Sequence, residues 1–124
     1  MIDFQNGKVF KLTKSKKFTN EKLISPLFIE NEEFIGEYTA LRDFIVFTNK
    51  RIIVANIQGF TGNKKDFTSL PYSKIQVFSI ETAGTFDMDG ELELYFSGLG
   101  KVKFGFSSNS NLNEIAKIIG EYVL

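Results

Sequence analysis

The chain contains no cysteine, no histidine and no tryptophan, and only two prolines. Without cysteine there are no disulfides and no thiolate nucleophile. Without histidine there are no imidazole general bases, His-based triads or ordinary zinc sites. The cysteine-free composition fits a reducing compartment, and the expected location is the cytoplasm. No run of about 18 apolar residues is present, so no membrane span is expected. The lysines near the N-terminus are not followed by an apolar core and a small-residue cleavage site, so no signal peptide is expected. Net charge is also missing: 15 Lys+Arg balance 15 Asp+Glu, which gives no general pull toward nucleic acid or an anionic membrane.

What is abundant is phenylalanine, 14 residues in 124. Phe carries a large apolar area and no polar handle, so most of these rings should build core or interface. The length suits one domain with a self-sufficient core. Charge is uneven along the chain. Lys8, Lys11, Lys14, Lys16 and Lys17 gather near the start, and Glu81, Asp87, Asp89, Glu91 and Glu93 gather later. Solvated surface is the simplest account of both clusters.

Residues 1–32 read as an N-terminal arm, with a short strand around Val9 to Leu12. In "TNEKLISP" Thr19 or Asn20 can cap one or two helical turns that end at Pro26. From Glu33 to the C-terminus the pattern is that of one compact domain. "EFIGEYTAL" is a first strand and "DFIVFT" a second, with Phe44 and Val46 on one face and Ile45 and Phe47 on the other. Asn49-Lys50 is placed as a two-residue hairpin turn, and "RIIVANI" is the third strand. Strands two and three are apolar on both faces, so something must cover the outer one. A loop pivoting on Gly59 and Gly62 leads to "KDFTSL", and Pro71 closes that strand. "QVFSIE" follows. "ELELYF" and "KVKFGF" alternate strictly, with Leu92, Leu94, Phe96, Val102, Phe104 and Phe106 inward. Face parity allows Phe96 opposite Val102, and a Glu93–Lys103 charge pair is expected across the same hairpin. Last comes an amphipathic helix, in which Asn111 caps, Glu114 reaches back, and Leu112, Ile115, Ile119 and Tyr122 share a face. The count is seven antiparallel strands and one C-terminal helix, a mainly β fold.

The stretch from Arg42 to Gly98, with "FTNKR", "QGFTG", "LPY" and "ETAGTFD" taken together, resembles the bacterial pleckstrin-homology (PH) family. The helix that follows continues the likeness, whereas the basic "KLTKSKK" arm departs from it. The resemblance implies a PH-like barrel of two near-orthogonal sheets capped at one end by the helix. It also implies ring-shaped homo-oligomers. It implies no activity.

Candidate sites were weighed against ordinary structure. "DMDGE" superficially suggests a calcium loop, but counting from Asp87 puts Leu92 at the sixth place and Gly98 at the twelfth, where Gly and Glu are needed. Asp87 and Asp89 could share a proton, yet no nucleophile or His accompanies them, so no catalytic residue, metal or cofactor is expected. The first inter-strand connection, "TALRD", offers only Arg42 beside Asp43. That is too little for phosphate convergence, so no specific phosphoinositide recognition is expected. "KFGF" echoes an RNA-binding strand, but Phe104 and Phe106 face inward, so no nucleic acid is expected.

The expected function is a non-enzymatic scaffold or protein-interaction module. Its partners are other copies of itself in a cyclic homo-oligomer, and other proteins. The candidate interface is Phe44, Phe47, Ile52, Val54 and Ile57 on strands two and three, partly covered in cis by Leu23, Ile24, Leu27 and Phe28. The alternative is a peripheral membrane or ligand-binding module that meets an anionic surface through Lys11, Lys14, Lys16 and Lys17.

Overall fold

The computed structural model describes residues 1–6, 9–82, 90–108 and 110–124, with Val9 and Phe10 described in backbone alone. Eight strands and two α-helices run in the order β1 (Val9–Lys14), α1 (Glu21–Ile24), β2 (Phe34–Thr39), β3 (Asp43–Thr48), β4 (Arg51–Gln58), β5 (Lys64–Pro71), β6 (Ile75–Thr82), β7 (Gly90–Phe96), β8 (Gly100–Phe106) and α2 (Leu112–Val123). The strands form one sheet in the order β5-β4-β3-β2-β1-β8-β7-β6. This corrects the expected seven antiparallel strands in two sheets: among the described residues there are eight, in one mixed, unclosed sheet.

The difference lies in β1. Thr13 and Lys14 pair antiparallel with Thr39 and Tyr38 of β2, while Val9 and Leu12 pair parallel with Phe104 and Phe106 of β8. The change of partner occurs across a register irregularity, where Lys11 takes φ +61°. A left-handed residue breaks the ladder locally and re-aims the chain. The stretch read as an arm therefore supplies the central strand, and Phe4 and Leu12 are buried in the main core.

The hairpins follow the sequence pattern closely. β3 and β4 pair Phe44 with Ala55 and Phe47 with Ile52 around Asn49-Lys50. Neither turn residue has positive φ. Thr48 Oγ1 holds the turn instead, accepting from the Lys50 and Arg51 amides at 3.0 and 3.1 Å. In β7–β8, Glu93 does face Lys103, and Lys101 and Lys103 approach its carboxylate at 3.5 and 3.4 Å. Phe96, however, pairs with Gly100, and Val102 with Leu94. The register sits two residues from the Phe96–Val102 pairing; the faces are unchanged because the side-chain period is two.

Two apolar layers result. Inside the curled sheet, Tyr38, Ile45, Phe47, Ile52, Val54, Leu92, Phe104 and Phe106 pack against Ile115 and Ile119 of α2. Asn111 Oδ1 accepts from the Glu114 amide at the start of that helix. Outside, Phe44, Val46, Ile53 and Ala55 are covered by Ile24, with Phe18, Phe28 and Phe34 alongside. Phe18 stacks on Phe34 with centroids 4.0 Å apart.

Two buried carboxylates fasten this cover. Glu37 accepts from the Thr19 and Asn20 amides and from Asn20 Nδ2. The Asn20 side chain thus serves Glu37 and makes no cap bond of its own. Glu32 takes a bidentate bond from Arg51, Nε to Oε2 at 2.9 Å and Nη2 to Oε1 at 2.8 Å, and a 2.7 Å bond from Thr48. Arg51 also reaches the Leu27 carbonyl and Ser69 Oγ, and Tyr72 donates to the Thr48 carbonyl. The "FTNKR" and "LPY" stretches are therefore fold hardware, tying the segment around Glu32 to the β3–β4 turn.

Among the described residues, Tyr38 Oη is the one buried side-chain polar atom without a partner. Burial, with Glu114 nearby, pushes its pKa well up. An unpaired buried hydroxyl costs desolvation and returns nothing. Tyr38→Phe is expected to raise stability by about 1 kcal/mol, read as a higher urea midpoint at unchanged slope.

Candidate interaction surfaces

An unclosed sheet has two edges, and the chain treats them differently. β5 starts with exposed Lys64 and Lys65 and ends at Pro71, which has no amide to donate. The first residues run beside it: the Met1 ammonium pairs with Asp66 at 2.9 Å and the Ile2 amide donates to Thr68 Oγ1 at 3.1 Å. That ammonium, by its hydrogen bond, holds the Asp66 carboxyl below its usual range. Lysines, proline and a covering segment are the usual means of blunting an edge. Among the described residues β6 has none of them. It contains no Lys, Arg or Pro, its one charged residue being Glu81; it pairs, among the described residues, with β7 alone, and it exposes Val77 at 61%. Its inward residues Phe78 and Ile80 are half-buried against the core. Where β5 and β6 diverge, a cleft of about 480 Å³ opens between Leu70, Pro71, Gln76 and Phe96.

A second feature lies where the β2–β3 turn meets the β4–β5 loop. Arg42 Nη1 donates to the Gly59 carbonyl at 2.9 Å, and the Ile57 amide donates to the Arg42 carbonyl at 2.9 Å. Gly59 and Gly62 take φ +83° and +74°, conformations natural to glycine. The tied turns carry Leu41 and Phe60 fully exposed, at 99% and 102%.

The candidate interface fares differently. Phe47, Ile52 and Val54 are completely buried in the main core and offer nothing to a second copy. Phe44 is on the outer face but buried under the cover, and Ile57 is half-buried beside it. The cover expected in cis is present in part: Ile24 and Phe28 lie over the outer face with Phe18 and Phe34, whereas Leu23 and Leu27 are exposed. Lys11, Lys14, Lys16 and Lys17 are exposed, and Lys14 is bonded to Glu114. Asp87 and Asp89 lie outside the described residues. Among the described residues no three potential ligands gather around a metal position, and no helix is long and apolar enough to cross a membrane. Sequence reading did not single out the exposure of Val77, Leu41 and Phe60. The usable signals were a strand without Lys or Pro, and a Phe lodged between two loop glycines.

A family profile described as bacterial PH domain matches residues 3–123. The chain belongs to this family. The bacterial PH chain is similar to the Bacillus subtilis protein YjqA, 40% identical over 98 residues, covering 77% of this chain and 78% of that one. Among solved structures it is similar to a DUF1696 family protein with a pleckstrin-homology domain from Shewanella loihica PV-4. The TM-score is 0.81 at 35% identity, over 95% of this chain and 100% of the other. A PH domain from Shewanella amazonensis SB2B gives 0.70 at 38% identity, over 90% and 91%. The PH-like fold is thus shared across nearly the whole chain.

Proposed function

We propose that this bacterial PH domain is a non-enzymatic, homo-oligomeric scaffold or interaction module whose copies join by strand pairing at β6. The observation that carries the reading is the contrast between the edges: β5 is blunted and β6 is open. A row of unpaired amides and carbonyls on a strand without lysine, arginine or proline invites another strand. Two copies of β6 can meet antiparallel about a two-fold axis, with Phe78 opposite Phe78 and Val77 opposite Ser79. Inward residues then face inward residues, and the assembly closes on itself.

Light scattering tests this on the tag-free protein. The wild type is expected to be an oligomer at micromolar concentration. Val77→Lys places a gatekeeper charge on the edge and is expected to give monomers, with a melting temperature within about 2 °C of wild type, as for an exposed substitution. A monomeric wild type would sink the proposal.

A further inference from the structure

We infer that the two-fold β6 seam is fixed in direction and register by an ion pair at each end, between Lys74 of one copy and Glu81 of the other. The inference rests on the strand pairing proposed above and names the side chains that make a second copy of this chain the fitting occupant of the edge. The register irregularity in β6 sets the geometry. Ile75 pairs with Phe96 and Val77 with Tyr95, so β6 advances two residues while β7 advances one. Strict alternation would put Ile75 on the outer face with Val77, Ser79 and Glu81. The extra residue turns it inward instead, buried on the same side as half-buried Phe78 and Ile80. Counted from Phe78 toward the strand's end, Ser79 is one place along, Ile80 two and Glu81 three. Counted the other way, with the extra residue at the irregularity discounted, Val77 is one place along, Ile75 two and Lys74 three. A two-fold axis at Phe78 sets equal places opposite each other. Val77 then meets Ser79, Ile75 meets Ile80, and Lys74 meets Glu81 on the exposed face. Lys74 closes the helical turn Tyr72–Lys74 just before the strand, and its long side chain spans the short distance between paired strands.

Both charges lack a partner in their own chain. Among the described residues no carboxylate pairs with Lys74, and no cation pairs with Glu81 or Glu91. Glu81 stands directly opposite Glu91 of β7, and like charges face to face are destabilising. Glu93, two residues along the same strand from Glu91, is treated differently: Lys101 and Lys103 both approach it. The open edge thus begins beside a free cation and ends on an uncompensated anion. Antiparallel pairing joins unlike ends twice. Parallel pairing would join like ends twice, and a slip of two residues would part both pairs. Charges that favour one arrangement and penalise the others are a general source of specificity.

Charge reversal tests this. Full-length Lys74→Glu and Glu81→Lys are measured by sedimentation and light scattering, each alone, mixed in equal amounts, and combined in one chain, at physiological salt. Each single reversal sets like charges against each other at both ends of the seam. It is expected to weaken self-association by about a hundredfold, about tenfold at each end, with a melting temperature within about 2 °C of wild type, as for an exposed substitution. The equal mixture should recover association close to that of the wild type, because one variant is acidic at both ends of the edge and the other basic at both. The double reversal in one chain should recover it as well. Single reversals that associate like the wild type would overturn the inference, while monomers from Val77→Lys in the same experiment would keep the β6 reading itself. A mixture that stays monomeric would also overturn it, by showing that the two charges do not meet. A monomeric wild type would overturn both.

Discussion

Replacing Arg51 with Met is expected to lower stability by about 3–5 kcal/mol, the usual result of removing one partner from a buried ion pair. In a domain of this size that lowers the melting temperature by roughly 10–20 °C. The Glu32 side chain has no solvent exposure, while Arg51 retains 20%. Without the guanidinium, the carboxylate keeps its Thr48 and Ile29 bonds but loses its counter-charge. The Leu27 carbonyl and Ser69 Oγ lose a donor in the same step. The pH dependence checks the mechanism. In the wild type, burial opposes ionisation of Glu32, and the bonds from Arg51, Thr48 and the Ile29 amide outweigh it, so the pKa is lowered. Its contribution is therefore present above the unfolded pKa and is lost as pH falls through the lower folded value. In Arg51→Met burial loses its main counterweight, and the folded pKa is expected to rise above the unfolded one. Protonation then relieves the strain, so the cost of the substitution should be largest near pH 7 and shrink toward pH 4. Denaturant titrations of both proteins at the two pH values measure this. A pH-independent difference would show that packing of the arginine stem, not charge, sets the loss.

Phe106→Ala is expected to cost about 3–5 kcal/mol, the transfer term for a buried ring plus the cavity it leaves. Phe106 is 2% exposed at the end of β8, opposite Leu12 of β1 and Gly90 of β7. Its ring meets Tyr38 edge-on at 5.4 Å, and Tyr38 in turn meets Phe47 at 5.6 Å. The cavity cannot easily collapse. The Gly90 backbone is already packed so tightly that a Cβ there would lie 2.7 Å from the Glu81 carbonyl. Calorimetry should show a lower melting temperature with the transition still two-state, because every strand shares the same sheet. Phe60→Ala, which removes an equal ring from full exposure, should change stability by less than about 0.5 kcal/mol. The comparison separates what phenylalanine does in the core from what it does at the surface.

Where structure is set by neighbours close in sequence, it could be read beforehand. The alternation in "ELELYF" and "KVKFGF" placed Leu92, Leu94, Phe104 and Phe106 inward, as they are. The helix spacing of Ile115 and Ile119 placed them on the core. The cap at Asn111 was legible from spacing alone, although Glu114 turns to Lys14. The central position of β1 was not legible. Its parallel pairing with β8 has no local signature, and Lys11 interrupts the alternation that would mark a strand. The burial of Phe44, Phe47, Ile52 and Val54 was hidden for a related reason. Two apolar faces state that two covers exist, and Ile52 and Phe44 look alike until the fold decides which cover each one meets. Val77 and Leu41 failed in the opposite way: in sequence they are ordinary apolar residues, and only their exposure sets them apart.

The position of β1 also fixes an order of events. Its first half is completed only by β8, at a sequence separation of 95 between Val9 and its partner Phe104. During synthesis the β2–β5 meander can pair strand by strand as it emerges, since each of its contacts is to the strand just made. β1, translated before them all, must hold an open edge until nearly the whole domain has left the ribosome. Non-local closure of this kind slows folding and prolongs exposure of unpaired strand. A chain stalled before β8 would thus carry an unsatisfied strand at the edge of its partial sheet, and the interval between those two segments is the window in which a chaperone would matter most.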